Sequence, residues 1–253
     1  MNIKALYENL CEFMPEYLRE DWDNDGLMCC ADGTVECKKV LVALDVTEEV
    51  VDYAINSGFN LIISHHPLIF KPLGSLNEEN HIARKVIKLI SNNVSVFSFH
   101  TRADKALGGV NDRLAKMVGI VDPVPFGEGG LGRIGDLSRE CDLDMFIGRV
   151  KKALKAEGVR ISDGYTMVKR VAVVGGDGKD FVKEAILAGA DTYVSGRIGY
   201  NLMEEAAEMG INLIEAGHYY TEFPITSHFK ELISRLDKDC YVEIVDSNLI
   251  KVV

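Results

Sequence analysis

KVLVALDVTEEVVDYAINSGFNLIISHHPLIF, residues 39–70, decides the architecture. Lys39–Asp45 reads as a buried strand ending in an acid. Thr47 with Glu48 and Glu49 caps a helix through Asn56, Gly58 stops it, and residues 59–63 form the next strand. The apolar run Leu61-Ile62-Ile63 ends at Ser64, and Pro67 prevents the ladder from continuing. An apolar run of this kind suits a strand covered on both faces, as in a parallel α/β sheet. Ligands bind just beyond the carboxyl ends of such strands, and His65 and His66 stand there. Neighbours in extended chain point to opposite sides. Unless the backbone turns, the pair therefore binds two close ions, or one ring binds while the other orients. The plainer alternative is a turn histidine beside a hydrogen-bonded core histidine.

Working outward, 253 residues give room for one large domain or two small ones. Hydrophobic residues make up 47% and charged residues 26%, so a folded soluble protein is expected. The net charge of −11, with no block of Lys or Arg, argues against nucleic acid as a partner. Small anionic substrates stay open, because a local cluster can act against the overall charge. The opening MNIKALYENLCEFMPEYL is amphipathic, broken by Glu8, Glu12 and Pro15, and unlike a signal-peptide core. No stretch is long enough for a membrane span, and a cytoplasmic location is expected. The six cysteines lack C-x-x-C spacing and read as reduced packing thiols.

The flanking chain extends the α/β pattern. Helices are expected over 2–14, 79–91, 110–118, near 143–157, and over 179–188, 200–209 and 224–236. Further strands are expected at 94–99, 169–174, 191–195 and 211–215, with a terminal strand pair at 240–245 and 248–253. Asp23-Asn24-Asp25-Gly26 reads as a turn; it resembles the start of a calcium loop but lacks the distal Glu. The Pro- and Gly-containing stretch 119–135 is the expected junction. It divides the chain into one domain of residues 1–125 plus the strands of 238–253, and another of 126–237.

An internal repeat supports a duplicated fold. Residues 39–66 align with RVAVVGGDGKDFVKEAILAGADTYVSGR, residues 170–197, at a constant offset of 131 (170 − 39 and 195 − 64). Gly196-Arg197 stands in the second copy where the first has His65-His66. His100 and Asp104 are matched by His218 and Glu222 at an offset of 118 (218 − 100 and 222 − 104), again just after an apolar strand.

His65, His66, His100, Asp104, His218 and Glu222 therefore gather at strand ends. Imidazole and carboxylate without thiolate suit Zn, Fe, Mn, Co or Ni. Two ions about 3.5–4 Å apart, sharing a carboxylate bridge and an activated water, use about this many donors. His100 reads as orienting a ligand or a substrate oxygen rather than binding metal. Asp45 reads either as a similar brace or as a capping partner, and His81 and His228 read as exposed residues of polar helices.

WDNDGL (22–27), SHHPLIF (64–70), HTRAD (100–104), GGVND (108–112) and GHYYTE (217–222) together resemble the GTP cyclohydrolase I type 2 homologue family, also called the Nif-three-like family. The resemblance covers nearly the whole chain. It implies two interlinked, duplicated α/β domains, a two-metal site at the domain interface, and a homohexamer built as a trimer of dimers. Carried over by motif, the metal ligands are His65, His66, Asp104, His218 and Glu222, with Glu222 as the bridge and, with His100, a catalytic group. The implied activity is that of a divalent-metal-dependent hydrolase. Metal-activated hydroxide would act on a purine nucleotide, converting GTP to 7,8-dihydroneopterin triphosphate and formate. Other readings of the same residues are a two-metal phosphoesterase and a non-catalytic metal-binding assembly or regulatory protein. The chain departs from the family pattern at Arg102-Ala103, where Asn-Leu is usual, and around Arg197. Both arginines are candidate phosphate contacts, as bidentate guanidinium forks.

Overall fold

The computed structural model describes residues 1–251. The chain forms two compact units, one made of Met1–Ala106 and Ile225–Ile250 and the other of Leu107–Pro224. The first unit opens with helix α1 (Ile3–Phe13), followed by strand β1 (Gly26–Cys29), β2 (Lys39–Ala43), α2 (Glu48–Asn56), β3 (Leu61–Ser64), α3 (His81–Ser91), β4 (Ser95–Ser98) and α4 (Thr101–Lys105). Thr47 caps α2 as expected, its hydroxyl accepting from the Val50 amide, a contact worth about 1 kcal/mol. Gly58, at φ 70°, ends the turn after it, in backbone that L side chains rarely adopt.

The second unit carries α5 (Val110–Val118), β5 (Ile120–Phe126), β6 (Gly132–Cys141), α6 (Leu143–Leu154), β7 (Arg160–Ser162), β8 (Val168–Asp177), α7 (Val182–Leu187), β9 (Thr192–Arg197), α8 (Tyr200–Glu208), β10 (Asn212–Glu215) and α9 (His218–Glu222). The chain then returns to the first unit through α10 (Ile225–Leu236) and β11 (Tyr241–Ile244).

In the first unit the sheet order is β1-β4-β3-β2-β11, with β11, β2, β3 and β4 parallel and β1 antiparallel at the edge. Leu41, Ala43, Ile62 and Val96 on one face pack with Val50, Val51 and Ala54 of α2 and Val86 and Leu89 of α3. On the other side Tyr7 of α1 meets Phe97, and Phe229 of α10 meets Phe99. Both faces are covered, so β3 and β4 are buried at every position. This is the physical reason their sequences are not alternating.

The second sheet runs β5-β6-β8-β9-β10-β7, its parallel centre β8-β9-β10 flanked by antiparallel strands. Val171, Val173, Val194 and Ile214 pack with α5 and α6 through Leu114, Phe146 and Val150. Ala172, Val174, Tyr193 and Leu213 pack with Val182, Ala185, Met203 and Ala206 of α7 and α8.

The repeat holds to the level of individual pairings. Val40 faces Leu61 and Ala43 faces Ser64 in the first sheet; Val171 faces Thr192 and Val174 faces Ser195 in the second. All four positions shift by 131. The next strands match at 117, since Ser64 faces Ser98 and Ser195 faces Glu215 (215 − 98). The second copy therefore carries one extra residue before its histidine, and Gly217, at φ 90°, stands in that added turn.

Several sequence expectations are corrected. Residues 119–135 are not a linker: they contain β5 and the start of β6, which pair antiparallel. The chain passes between units at Ala106/Leu107 and Pro224/Ile225, rather than at 125/126 and 237/238. Edge strands β1, β5 and β7 were not anticipated, because short or Pro-containing edge segments lack a strong period; β6, which lies between β5 and β8, was not anticipated either. Of the expected terminal strand pair only β11 forms; residues 248–251 are irregular, and the remainder of that segment lies outside the described residues. All six cysteines are free thiols.

Candidate metal centre

Three histidines of the first unit reach one place from two strand ends. His65 and His66 follow β3, and His100 follows β4 as the residue before α4. The backbone bends at 65–66 instead of continuing extended, so the two rings lie on the same side with centroids 5.1 Å apart. Their centroids are 5.2 and 5.7 Å from that of His100. One ring nitrogen from each lies within 4.8 Å of the others.

Each ring has the same brace. His65 Nδ1 donates to the Phe99 carbonyl (2.9 Å), His66 Nδ1 to Asp45 (2.7 Å) and His100 Nδ1 to Asp23 (2.8 Å). A carbonyl or carboxylate only accepts, so Nδ1 carries the proton in all three, and Nε2 is the atom that each ring turns away from its brace. Metal-binding histidines are oriented in this manner, by an acceptor behind the ring. Asp104 joins the group through an oxygen 3.6 Å from His65 Nε2. All of these donors are imidazole or carboxylate, and the group of His65, His66 and His100 could hold a metal ion.

Asp23 holds more than one ring. Its second oxygen accepts from the Thr101 amide (3.1 Å) and hydroxyl (2.6 Å). Burial pushes its carboxyl up, but the His100 hydrogen bond and charge together with the Thr101 donors outweigh it and bring it down to about 2. His100 in turn is lowered by burial but raised more by Asp23 and Asp104, and ends above its ordinary value. Asp25, two residues on, accepts from the His100 amide.

The second unit presents its own pair. His218 begins α9 and Glu222 lies one turn on, with Nε2 and a carboxylate oxygen 2.9 Å apart. Glu222 lies against the irregular end of β8, where the register shifts between Val174 and Asp177: a Cβ on Gly176, at φ +66°, would come 2.1 Å from its Oε1 and 3.2 Å from His218 Nε2. Thr221 and Asn111 fasten that end of β8 by accepting from the amides of Gly176 (3.1 Å) and Gly175 (2.7 Å).

The arginines part company. Arg102 is buried, its side chain 1% exposed, paired with Asp25 at 2.9 Å, donating to the Met14 carbonyl and stacked 4.8 Å over Phe99. A guanidinium so enclosed has no open edge for a phosphate, which corrects the expectation for Arg102. Arg197 is exposed, 3.7 Å from Asp177. His228 is also corrected: its side chain is only 13% exposed and lies 3.9 Å from Glu231. His81 is exposed as expected.

The residues that the sequence did not single out are Asp23, Asn111, Gly176 and Thr221. The first had been read as a turn former. Only the family motifs WDNDGL and GGVND marked Asp23 and Asn111, since a brace is defined by a partner distant in sequence.

With this geometry in view, the chain's relatives can be placed. Residues 1–252 match the family model Duf34/NIF3 (NGG1p interacting factor 3), and the chain belongs to that family. It is 34% identical over 247 residues to the GTP cyclohydrolase 1 type 2 homolog of Clostridium perfringens, covering 94% of each chain. It is 28% identical over 250 residues to NIF3-like protein 1 of Drosophila melanogaster, covering 95% of this chain and 85% of that one. Among solved structures it is similar to Staphylococcus aureus hypothetical protein SA1388 (28% identity, TM-score 0.88, 100% and 99% covered). It is also similar to reduced HcgD from Methanocaldococcus jannaschii (28%, 0.85, 96% and 97%). No helix among the described residues is long and apolar enough to cross a membrane.

Proposed function

We propose that this protein is a divalent-metal-dependent hydrolase acting on a purine nucleotide, with GTP, yielding 7,8-dihydroneopterin triphosphate and formate, as the first substrate to test. The observation that carries the metal part is the shared bracing of His65, His66 and His100, each ring turned by an acceptor on Nδ1. The nucleotide part is supported by the name that the Clostridium perfringens relative bears. In this reading His65, His66, Asp104, His218 and Glu222 together hold two ions, from among Zn, Fe, Mn, Co and Ni. Bound ions would supply Lewis acidity and an activated water near neutral pH. His100, held by Asp23, orients the reacting oxygen and moves a proton at Nε2. Glu222 holds its carboxylate in place against Gly176 at the end of β8, and Arg197 takes the phosphate role. The free thiols fit a cytoplasmic setting, and the working assembly is a homohexamer.

The test is direct. Metal-loaded protein incubated with GTP is expected to release formate and a fluorescent pterin, and Glu222→Ala is expected to release neither. Equal product from both rejects the activity. An anomalous-scattering map of metal-replete crystals reads ion number and ligands independently of turnover. Light scattering at the mass of a monomer rejects the hexamer.

A further inference from the structure

Trp22 is the chain's single tryptophan, and it stands 63% exposed on a loop otherwise pinned inward. Asp23 is locked to His100 and Thr101, and Asp25 to Arg102 and the His100 amide. Asn24 ties the loop to the strand-end loop of the histidine pair, its amide donating to the Ile69 carbonyl at 2.5 Å. That second loop carries Phe70, 45% exposed. The Trp22 and Phe70 ring centroids are 6.2 Å apart, and each meets His100 edge-on, at 6.1 and 6.3 Å.

Rigid loops that hold two large aromatic rings in water forgo the gain from burying them. Aromatic rings in a fixed edge-to-face arrangement keep faces for a further flat ring. The imidazole cluster begins at His100, so a ring stacked here has hydrogen-bonding groups within reach of its edge. A protein partner would need some 800 Å² of matching surface, whereas this is two rings beside polar groups.

We infer that Trp22 and Phe70 form a stacking subsite for the planar heteroaromatic base of the substrate, with His100 at its inner edge. This deepens the hydrolase reading and rests on it for the position of the reacting ring. Stacking on aromatic side chains tolerates any base, so the pair supplies affinity, and selection among bases falls to the polar groups further in.

Because Trp22 is the only indole, all tryptophan emission reports on the subsite. Guanosine and GTP are expected to quench it in both metal-free and metal-loaded protein, while inorganic triphosphate leaves it unchanged. Trp22→Ala is expected to raise the GTP KM about 10-fold with kcat within about 2-fold. Phe70→Ala should weaken guanosine quenching by about 5-fold, and Trp22→Phe should restore most of the KM. Near-ultraviolet circular dichroism and the urea midpoint establish that the variants are folded. Unquenched emission with both guanosine and GTP, or an unchanged KM in Trp22→Ala, overturns the subsite. An emission blue shift that grows with protein concentration overturns it too, because a second copy then covers the rings. If wild-type protein shows base-dependent quenching yet makes no product from GTP, the subsite stands and the proposed reaction falls.

Discussion

The two copies of the β-α-β repeat share a backbone and differ in what stands at the strand ends. In the first, β3 delivers His65 and His66, and Asp45 after β2 braces His66. In the second, the matching positions are Gly196, Arg197 and Gly176. A Cβ on Gly196 would lie 2.6 Å from the Gly176 carbonyl oxygen and from Thr221 Oγ1, and 2.7 Å from His218 Cα. The volume that holds an imidazole in one copy is filled in the other by the end of β8 at Gly176 and by α9. The same scaffold thus gives a braced imidazole cluster in one unit and a tightly backed His–Glu pair in the other. The lesson is that a duplicated fold divides its chemistry through the size of a few residues, without altering strand register.

That contrast can be broken most severely at Gly196. Gly196→Ala has no space and is expected to lower stability by about 3 kcal/mol, read as a fall in the urea midpoint. An unchanged midpoint means that the Gly176 end of β8 yields freely and the two ends are not sterically distinct. Next comes the brace present only in the first copy. Asp45→Asn is expected to weaken Zn²⁺ binding, followed by calorimetric titration, by 10- to 100-fold, with the fold intact by circular dichroism. Affinity equal to wild type would remove Asp45 from the centre.

A smaller effect is expected at Glu215, the second-copy counterpart of Ser98. Burial raises its carboxyl, but the Ile198 and Gly199 amides and Arg160 outweigh this and leave it below the ordinary 4.5. Since its folded value is the lower one, its contribution is complete above pH 4.5 and is lost as pH falls through the folded value. Glu215→Gln should cost about 1 kcal/mol at pH 7, and the gap to wild type should close below pH 4.5. A gap that stays constant with pH would contradict this. The smallest difference is expected between the two strand-end serines. Ser64 bonds Ser98 and the His66 carbonyl, both at 2.8 Å, whereas Ser195 has longer contacts, 3.1 and 3.3 Å, to Gly178 and Gly176. Ser64→Ala should cost about 1 kcal/mol and Ser195→Ala less. The reverse order would show that the first copy's end is the softer one.

Much of this was legible beforehand because the signals are local. Apolar runs gave the central parallel strands, Thr47 and Gly58 bounded α2, and the 131-residue offset foretold a register later found pair for pair. The histidines could be placed at strand ends for the same reason. Residues 119–135 misled because Pro and Gly tolerate an edge strand as readily as a linker. Arg102 misled because a guanidinium at a motif position looks available until its buried partner Asp25 is found.

Sequence by itself determined the α/β class, the repeat, and which residue types end the strands, since periodicity, capping and spacing act over a few neighbouring residues. Only tertiary structure decided which of those side chains are turned by an acceptor, as Asp23 turns His100 across 77 positions, and which are enclosed, as Arg102 is. Hydrogen bonding and burial depend on groups brought close by the fold, and separation along the chain carries no record of that closeness.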